Sequence, residues 1–252
     1  SSGPEGDSGH NHITPGEISV GVIIGRVGEF FDFFVFGIAS VLVFPALFFP
    51  FVSPEQGLLY SFIIFSFGFI ARLLGALLFR IIHDRYGRTS KLTGSLFLMG
   101  TSTVCIAFLP GYETIGVTAI VLLSALRITQ GIAVGGAWDG LPSLLAVTAP
   151  DNKRGWYAMI AQIGAPIGFV VAISLFAYLY TSVDGKDFVD WGWRFAFFCA
   201  FAINVVTLFA RLRMSVAPDY EELYEAGELK PSPIGELLST QATNIALGSL
   251  VP

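Results

Sequence analysis

The feature that most constrains this chain is a run of six long apolar stretches, at residues 18–44, 57–82, 92–109, 115–138, 156–180 and 193–212, joined by short polar connections. A helix rises about 1.5 Å per residue, so about 20 residues cross the hydrocarbon of a bilayer. Each stretch is near that length. A membrane barrel would instead show alternating strands of about 10 residues, and none is seen. Composition agrees: 54% of the 252 residues are hydrophobic and 13% are charged, against roughly 25% charged in ordinary globular chains. A soluble fold of this size could not hide so much apolar surface. The sequence therefore predicts an all-α membrane protein with six transmembrane helices, whose first partner is the lipid bilayer.

Charge and cysteine content exclude other classes. Fourteen Lys and Arg against nineteen Asp and Glu give a net charge of −5, which is not the basic patch of a nucleic-acid binder. Cys105 and Cys199 lie in apolar stretches and read as small hydrophobes. His10 and His12 read as parts of a solvated tail. No metal-ligand cluster and no nucleophile–base pair is gathered in one place, so neither a metal centre nor an enzyme is expected.

Four regions follow. Residues 1–17 form a polar tail, 18–213 the six-helix bundle, 214–244 a loop containing an acidic helix, and 245–252 the start of a seventh, truncated helix. Arg80, Arg85, Arg88, Lys91, Lys153, Arg154, Arg211 and Arg213 fall on alternate connections, while the opposite ones hold little beyond Lys186. The positive-inside rule then puts both ends of the bundle, and the amino terminus, in the cytoplasm of a multi-pass plasma-membrane protein.

Ionisable groups deep in a span cost roughly 2.5–3.5 kcal/mol to insert and mark functional sites by default. The first stretch holds Arg26, Glu29 and Asp32. From Glu17, Asp32 lies roughly 22 Å along the helix. Gly21, Gly25, Gly28 and Asp32 share one side, which should face other helices or a cavity. Desolvation favours a neutral carboxyl and a cationic neighbour favours the carboxylate, so a balanced acid there can load and release a proton. Asp32 and Glu29 are the candidate proton carriers; the bland alternative is a self-neutralising Arg26–Glu29 pair. Arg127, Arg26 and Arg72 are candidates for substrate binding or charge pairing, and Arg72 has the further option of snorkelling. Gly131, Gly135 and Gly136, in GxxxG spacing with Gly140, predict close helix packing. Asp139 reads as a boundary charge. The compact mixed-charge loop around Asp84, Arg85, Gly87 and Arg88 reads either as a topology determinant or as a clasp that gates a conformational change.

That loop, Asp84-Arg85-Tyr86-Gly87-Arg88, resembles the Gly-x-x-x-Asp-Arg-x-Gly-Arg motif of the major facilitator superfamily, with Arg80 where the leading glycine is usual. More of the chain is similar to its metabolite:proton symporter branch. Gly28-Glu29-Phe30-Phe31-Asp32-Phe33 matches the first-helix signature, and Arg72-Leu73-Leu74-Gly75 resembles the second-helix Arg-Pro-x-Gly. Arg127-Ile128-Thr129-Gln130-Gly131 and Gly135-Gly136-Ala137-Trp138-Asp139-Gly140 match the fourth helix. Gln162-Ile163-Gly164-Ala165-Pro166-Ile167-Gly168 matches the fifth, and Trp191-Gly192-Trp193-Arg194-Phe195 the start of the sixth. Arg26 and Ala137 depart from the branch pattern, and Asp139 is about 200° around the helix from the usual acid.

The resemblance implies the amino-terminal half of a twelve-helix transporter whose halves rock about a midplane site. It adds Gly164 and Pro166 as helix-packing positions. The function it implies is proton-coupled symport of a small anionic metabolite, with the proton as coupling ion and no other cofactor. The partner would be a missing carboxy-terminal half-bundle or a second copy. The alternatives are an efflux antiporter and a fragment that does not transport alone.

Overall fold

The computed structural model describes residues 15–137, 151–215 and 242. Residues up to 215 belong to one compact unit, and among the described residues every regular element is helical. The chain runs α1 (Pro15–Leu42), α2 (Phe44–Phe48), α3 (Pro54–Ala107), α4 (Tyr112–Ile115), α5 (Val117–Gly136), α6 (Arg154–Ser182), α7 (Gly185–Asp187) and α8 (Arg194–Ser215). A single 3₁₀ turn, Asp151–Lys153, precedes α6, and a wide π-helical turn, Phe188–Gly192, leads into α8.

All six expected stretches are helical where they are described. Four, Pro54–Gly87, Val117–Gly136, Gly155–Ser182 and Arg194–Arg211, are long and apolar enough to cross a membrane. The other two have the length but a diluted apolar character. α1 carries Arg26, Glu29 and Asp32 in its middle, and the second arm of α3 is rich in Ser and Thr, including Ser95, Ser102 and Thr103. Their hydroxyls are turned inward: Ser95 and Ser102 donate to helical carbonyls one turn back and are buried. Helices of this kind cross within a bundle rather than against lipid. The outward surface is apolar, with Leu73, Phe209 and Val170 each more than half exposed, as a surface facing hydrocarbon requires.

One connection differs from expectation. The segment around 80–91 was expected to be a loop, but it is helical on both sides of Gly87, which alone breaks α3 with φ 80°, ψ 174°. Only glycine takes that conformation readily. The break reverses the chain: the Phe79 ring lies 3.7 Å from a Cβ placed on Gly94, although 15 residues of straight helix would separate them by about 22 Å. The polar residues there extend the helices beyond the apolar span rather than ending them. Asp84 and Arg85 are exposed, and among the described residues neither forms an ion pair. The side chain of Arg88 lies outside the description, as do Trp138, Asp139, Gly140, the tail to residue 14, and the acidic and seventh-helix segments.

α3 lies along α5, and α1 along α6, while α8 touches both α1 and α3. Glycines make these contacts possible. A Cβ on Gly75 would strike the Ile132 carbonyl, and one on Gly135 the Arg72 carbonyl. At Gly131 it would strike the Gly68 carbonyl and lie 2.8 Å from the Ala71 Cβ. Gly136 faces the Phe79 ring. On the other side, Gly164 meets Arg26 and Gly168 meets the Phe31 amide at 2.9 Å, flanking Pro166, which sits inside α6. Gly131, Gly135 and Gly164 thus stand at close backbone contacts, and Gly136 stands against a ring. An aromatic core closes one end of the bundle, where fully buried Trp193 packs edge-on to Phe44 and Phe197 at 5.8 and 5.4 Å.

Gly131→Val should therefore lower the stability of the bundle by about 1–3 kcal/mol, because the obstacle is backbone and cannot swing away. Gly155→Ala, which would meet nothing within 4 Å, should leave it unchanged. Unfolding of the two variants in detergent micelles checks this. Equal midpoints would mean that the α3–α5 contact is looser than described.

Candidate functional site

The charges predicted inside the first span gather with others at the centre of the bundle. Asp32 is 3% exposed, on the buried side of α1. Its Oδ1 accepts from Thr103 Oγ1 at 2.7 Å, and its Oδ2 from Gln130 Nε2 at 3.3 Å. Gln130 Nε2 also donates to Thr103 Oγ1 at 2.9 Å, closing a ring of three side chains from α1, α3 and α5. A buried carboxylate needs such donors, because desolvation without them is costly.

Arg127 lies one helical turn before Gln130 on α5 and is 5% exposed. Its Nη1 donates to Gln130 Oε1 at 3.2 Å and its Nε to the Phe65 carbonyl at 3.3 Å. The guanidinium stands 4.2 Å from the Phe36 ring centroid and 4.7 Å from that of Phe65. These aromatic faces replace part of its lost hydration. A side chain on Gly68 would meet Arg127 Nε at 2.8 Å, so the glycine is what admits the arginine beside α3. Asp32 and Arg127 are therefore linked through Gln130, which offers its amide to one and its carbonyl to the other.

A second cluster lies one turn earlier on α1. Glu29 Oε2 accepts from Arg26 Nη1 at 2.9 Å, and Oε1 from Arg211 Nη2 at 2.6 Å. Arg211 Nη1 also donates to the Ala137 carbonyl at 2.9 Å, at the C-terminal cap of α5. Cationic groups are favoured there because the last carbonyls of a helix are unsatisfied. The expected Arg26–Glu29 pair is present but forms only half of the arrangement. Arg211 corrects the sequence reading, which places it on a connection: it is 4% exposed inside α8. It joins α8 to α1 and to the end of α5. Gly25 and Gly28 leave room for it and for Thr207.

Between the two clusters, α8 presents Asn204 and Thr207, which are 3% and 1% exposed. Asn204 borders the Asp32 carboxylate without a hydrogen bond from Nδ2. Neither Asn204 nor Thr103 was singled out from the sequence. Both stand in stretches without charge, where a lone amide or hydroxyl is not distinctive.

Beside these clusters lies a partly open cavity lined by Glu29, Asp32, Phe33, Arg72, Arg127 and Gln130 among others. The site candidates of α1, α3 and α5 are thus brought together. Asp84, Arg85 and Gly87 are not part of it. Among the described residues no group of three His, Cys, Asp or Glu is placed to hold a metal ion.

Removing one member of a buried ion cluster strands the others, a loss of about 3–5 kcal/mol, whereas removing both partners costs less than the sum. Glu29→Gln and Arg211→Gln should each destabilise the bundle, and the double variant should be more stable than additivity predicts by about 1 kcal/mol or more. A double-mutant cycle on unfolding measures the coupling. Strict additivity would mean that the Glu29–Arg211 bond carries no stability.

Comparison with known proteins places this architecture. Residues 19–223 match the family model described as sugar (and other) transporter. The inner membrane metabolite transport protein YhjE of Escherichia coli is 37% identical over 235 residues, which cover 93% of this chain and 53% of that protein. The shikimate transporter of Escherichia coli is 36% identical over 222 residues, covering 87% and 51%. Among solved structures, the inward-open xylose transporter XylE from Escherichia coli superposes with a TM-score of 0.64 at 21% identity, over 94% of this chain and 56% of that one. The chain spans about half the length of the curated relatives it matches. It belongs to the sugar (and other) transporter family of the major facilitator superfamily, and it covers roughly the amino-terminal half of that fold.

Proposed function

We propose that this chain is one half of a secondary transporter that carries a small organic anion together with a proton, by alternating access. The observation that carries this reading is the charge balance of the central site. Among the described residues, Arg72 and Arg127 line the cavity with Glu29 and Asp32, and Glu29 is already held by Arg26 and Arg211, so the cavity presents two cations against the single carboxylate of Asp32. In a medium of low dielectric such a surplus favours an anion strongly. The outward surface is apolar and the charges are turned inward, which suits a site entered from water and closed to lipid.

Asp32 is the proposed proton carrier. As a carboxylate it holds Gln130, and through Gln130 it holds Arg127. Protonation removes its charge, leaves Arg127 less compensated, and so raises the affinity of the cavity for an anion. Loading the proton and loading the anion then favour each other, which is the reciprocity that symport needs. Glu29, tied to Arg26 and Arg211, fastens the middle of α1 to α8 and, through Arg211, to the end of α5 instead of exchanging a proton. A second six-helix bundle, either the rest of a longer chain or a second copy, would complete the site and rock against this one. The amino terminus would face the cytoplasm of a plasma membrane, as the loop charges require.

Asp32→Asn keeps the size of the side chain and one of its two acceptor oxygens but cannot titrate. In vesicles containing the full-length transporter, it should abolish accumulation of substrate driven by a pH gradient, while exchange of internal for external substrate continues. Undiminished accumulation under the gradient would refute the coupling role of Asp32.

A further inference from the structure

Four arginines stand at or beside the central cavity, and three are committed. Arg26 and Arg211 hold Glu29. Arg127 donates to Gln130 and to the Phe65 carbonyl, is nearly fully buried, and stands 4.2 Å from the Phe36 ring centroid. Arg72 differs from all of them. It lines the same cavity, its side chain is exposed, and among the described residues it forms no hydrogen bond and no ion pair.

Its position makes this unusual. The first arm of α3, Pro54–Gly87, is 34 residues long. The apolar stretch within it runs over residues 57–82, so Arg72 stands roughly 22 Å and 15 Å from the two ends of that stretch. Snorkelling to a membrane surface brings a cation only a few ångströms nearer to water, which does not suffice from there. Its backbone is also fixed, because Gly135 packs directly on the Arg72 carbonyl. The α3–α5 contact therefore holds the Cα in place and leaves only the guanidinium to move.

An arginine kept in mid-span without a protein partner is costly, and its planar fork is built to receive a carboxylate in a bidentate manner. Two aromatic side chains, Phe33 and Phe69, line the cavity with it, and their rings are 5.7 Å apart, edge to face. They offer an apolar surface to the body of a ligand whose charged end meets Arg72.

We infer that Arg72 is the substrate-binding cation of this site, taking the carboxylate of a small monocarboxylic acid whose apolar or ring-shaped body rests on Phe33 and Phe69. This rests on the anion-transport reading above and divides the work between two arginines. Arg72 meets the substrate, and Arg127 answers to Asp32. Sequence position alone treats them as equivalent.

The test is a binding measurement at fixed pH with no gradient, on protein in lipid nanodiscs, using benzoate, its neutral isostere benzamide, and inorganic phosphate. Wild type should bind benzoate and should bind benzamide and phosphate more weakly. Arg72→Gln should raise the Kd for benzoate about tenfold or more, the share of one charge-assisted pair. Arg72→Lys should recover part of the loss, since it keeps the charge but not the fork. Because the side chain has no partner within the described bundle, the unliganded thermal midpoint of Arg72→Gln should match wild type. The inference is overturned if Arg72→Gln binds benzoate as wild type does, or if wild type fails to prefer benzoate to benzamide, including by binding neither. It is equally overturned if Arg72→Gln unfolds well below wild type, because the arginine would then be serving the fold. The outcome is separable from that for Asp32. Loss of benzoate binding in Arg72→Gln together with unchanged gradient-driven uptake in Asp32→Asn would keep the substrate contact and remove the coupling.

Discussion

The bundle is organised around one requirement: α1 carries three ionisable side chains where the surroundings are apolar, and each needs a partner. Asp32 takes Thr103 from α3 and Gln130 from α5. Glu29 takes Arg211 from α8. Arg26 takes Glu29 within α1, while its backbone receives Gly164 of α6. Satisfying one helix therefore fixes the places of four others. An ion cluster of this kind contributes less to raw stability than its short distances suggest, because desolvation offsets much of the attraction. Its effect is on specificity: any other arrangement of these helices strands a charge in an apolar layer.

The polar centre demands close approach, and the glycines supply it. Arg127 reaches Gln130 and the Phe65 carbonyl only because position 68 has no side chain. Gly75, Gly131 and Gly135 let the backbones of α5 and of the first arm of α3 touch, which brings Arg72 and Arg127 to one cavity. Without a hydrophobic effect between helices in lipid, such contact is the main source of association. Packing and chemistry are thus not separate layers here. The same stripe on α5 that carries Gly131 and Gly135 also carries Arg127 and Gln130.

The sequence makes some of this visible and hides the rest for physical reasons. Charge inside an apolar stretch is conspicuous, so Arg26, Glu29, Asp32, Arg72 and Arg127 stand out, and glycines at a spacing of four mark the tight faces. Arg211 is misread because the end of an apolar stretch is not the end of its helix. α8 runs to Ser215, and the arginine is folded inward. The same effect turns the expected loop near residue 84 into helix, since residues beyond the hydrocarbon become polar without ceasing to be helical, and only Gly87 interrupts the turn. Thr103 and Asn204 are invisible for another reason. Their importance lies in what faces them across the bundle, and no local pattern records that.

The proposed division between Arg72 and Arg127 would give the site a directionality that neither residue has alone. An arginine shared by Asp32 and a substrate would make the two compete for one cation, and the carboxylate would have to leave before the substrate could enter. With Gln130 placed between Asp32 and Arg127, the acid can lose its charge without releasing the arginine from the aromatic rings and the Phe65 carbonyl that hold it. What changes on protonation is then the field in the cavity rather than the position of a side chain. At separations of several ångströms and an effective dielectric near 20, one added positive charge is worth about 2–3 kcal/mol to an anion nearby. That is about 30- to 150-fold in affinity, comparable with couplings in proteins generally. A fixed electrostatic link of this kind needs no large motion within one bundle, and leaves the conformational change to the joint between two of them.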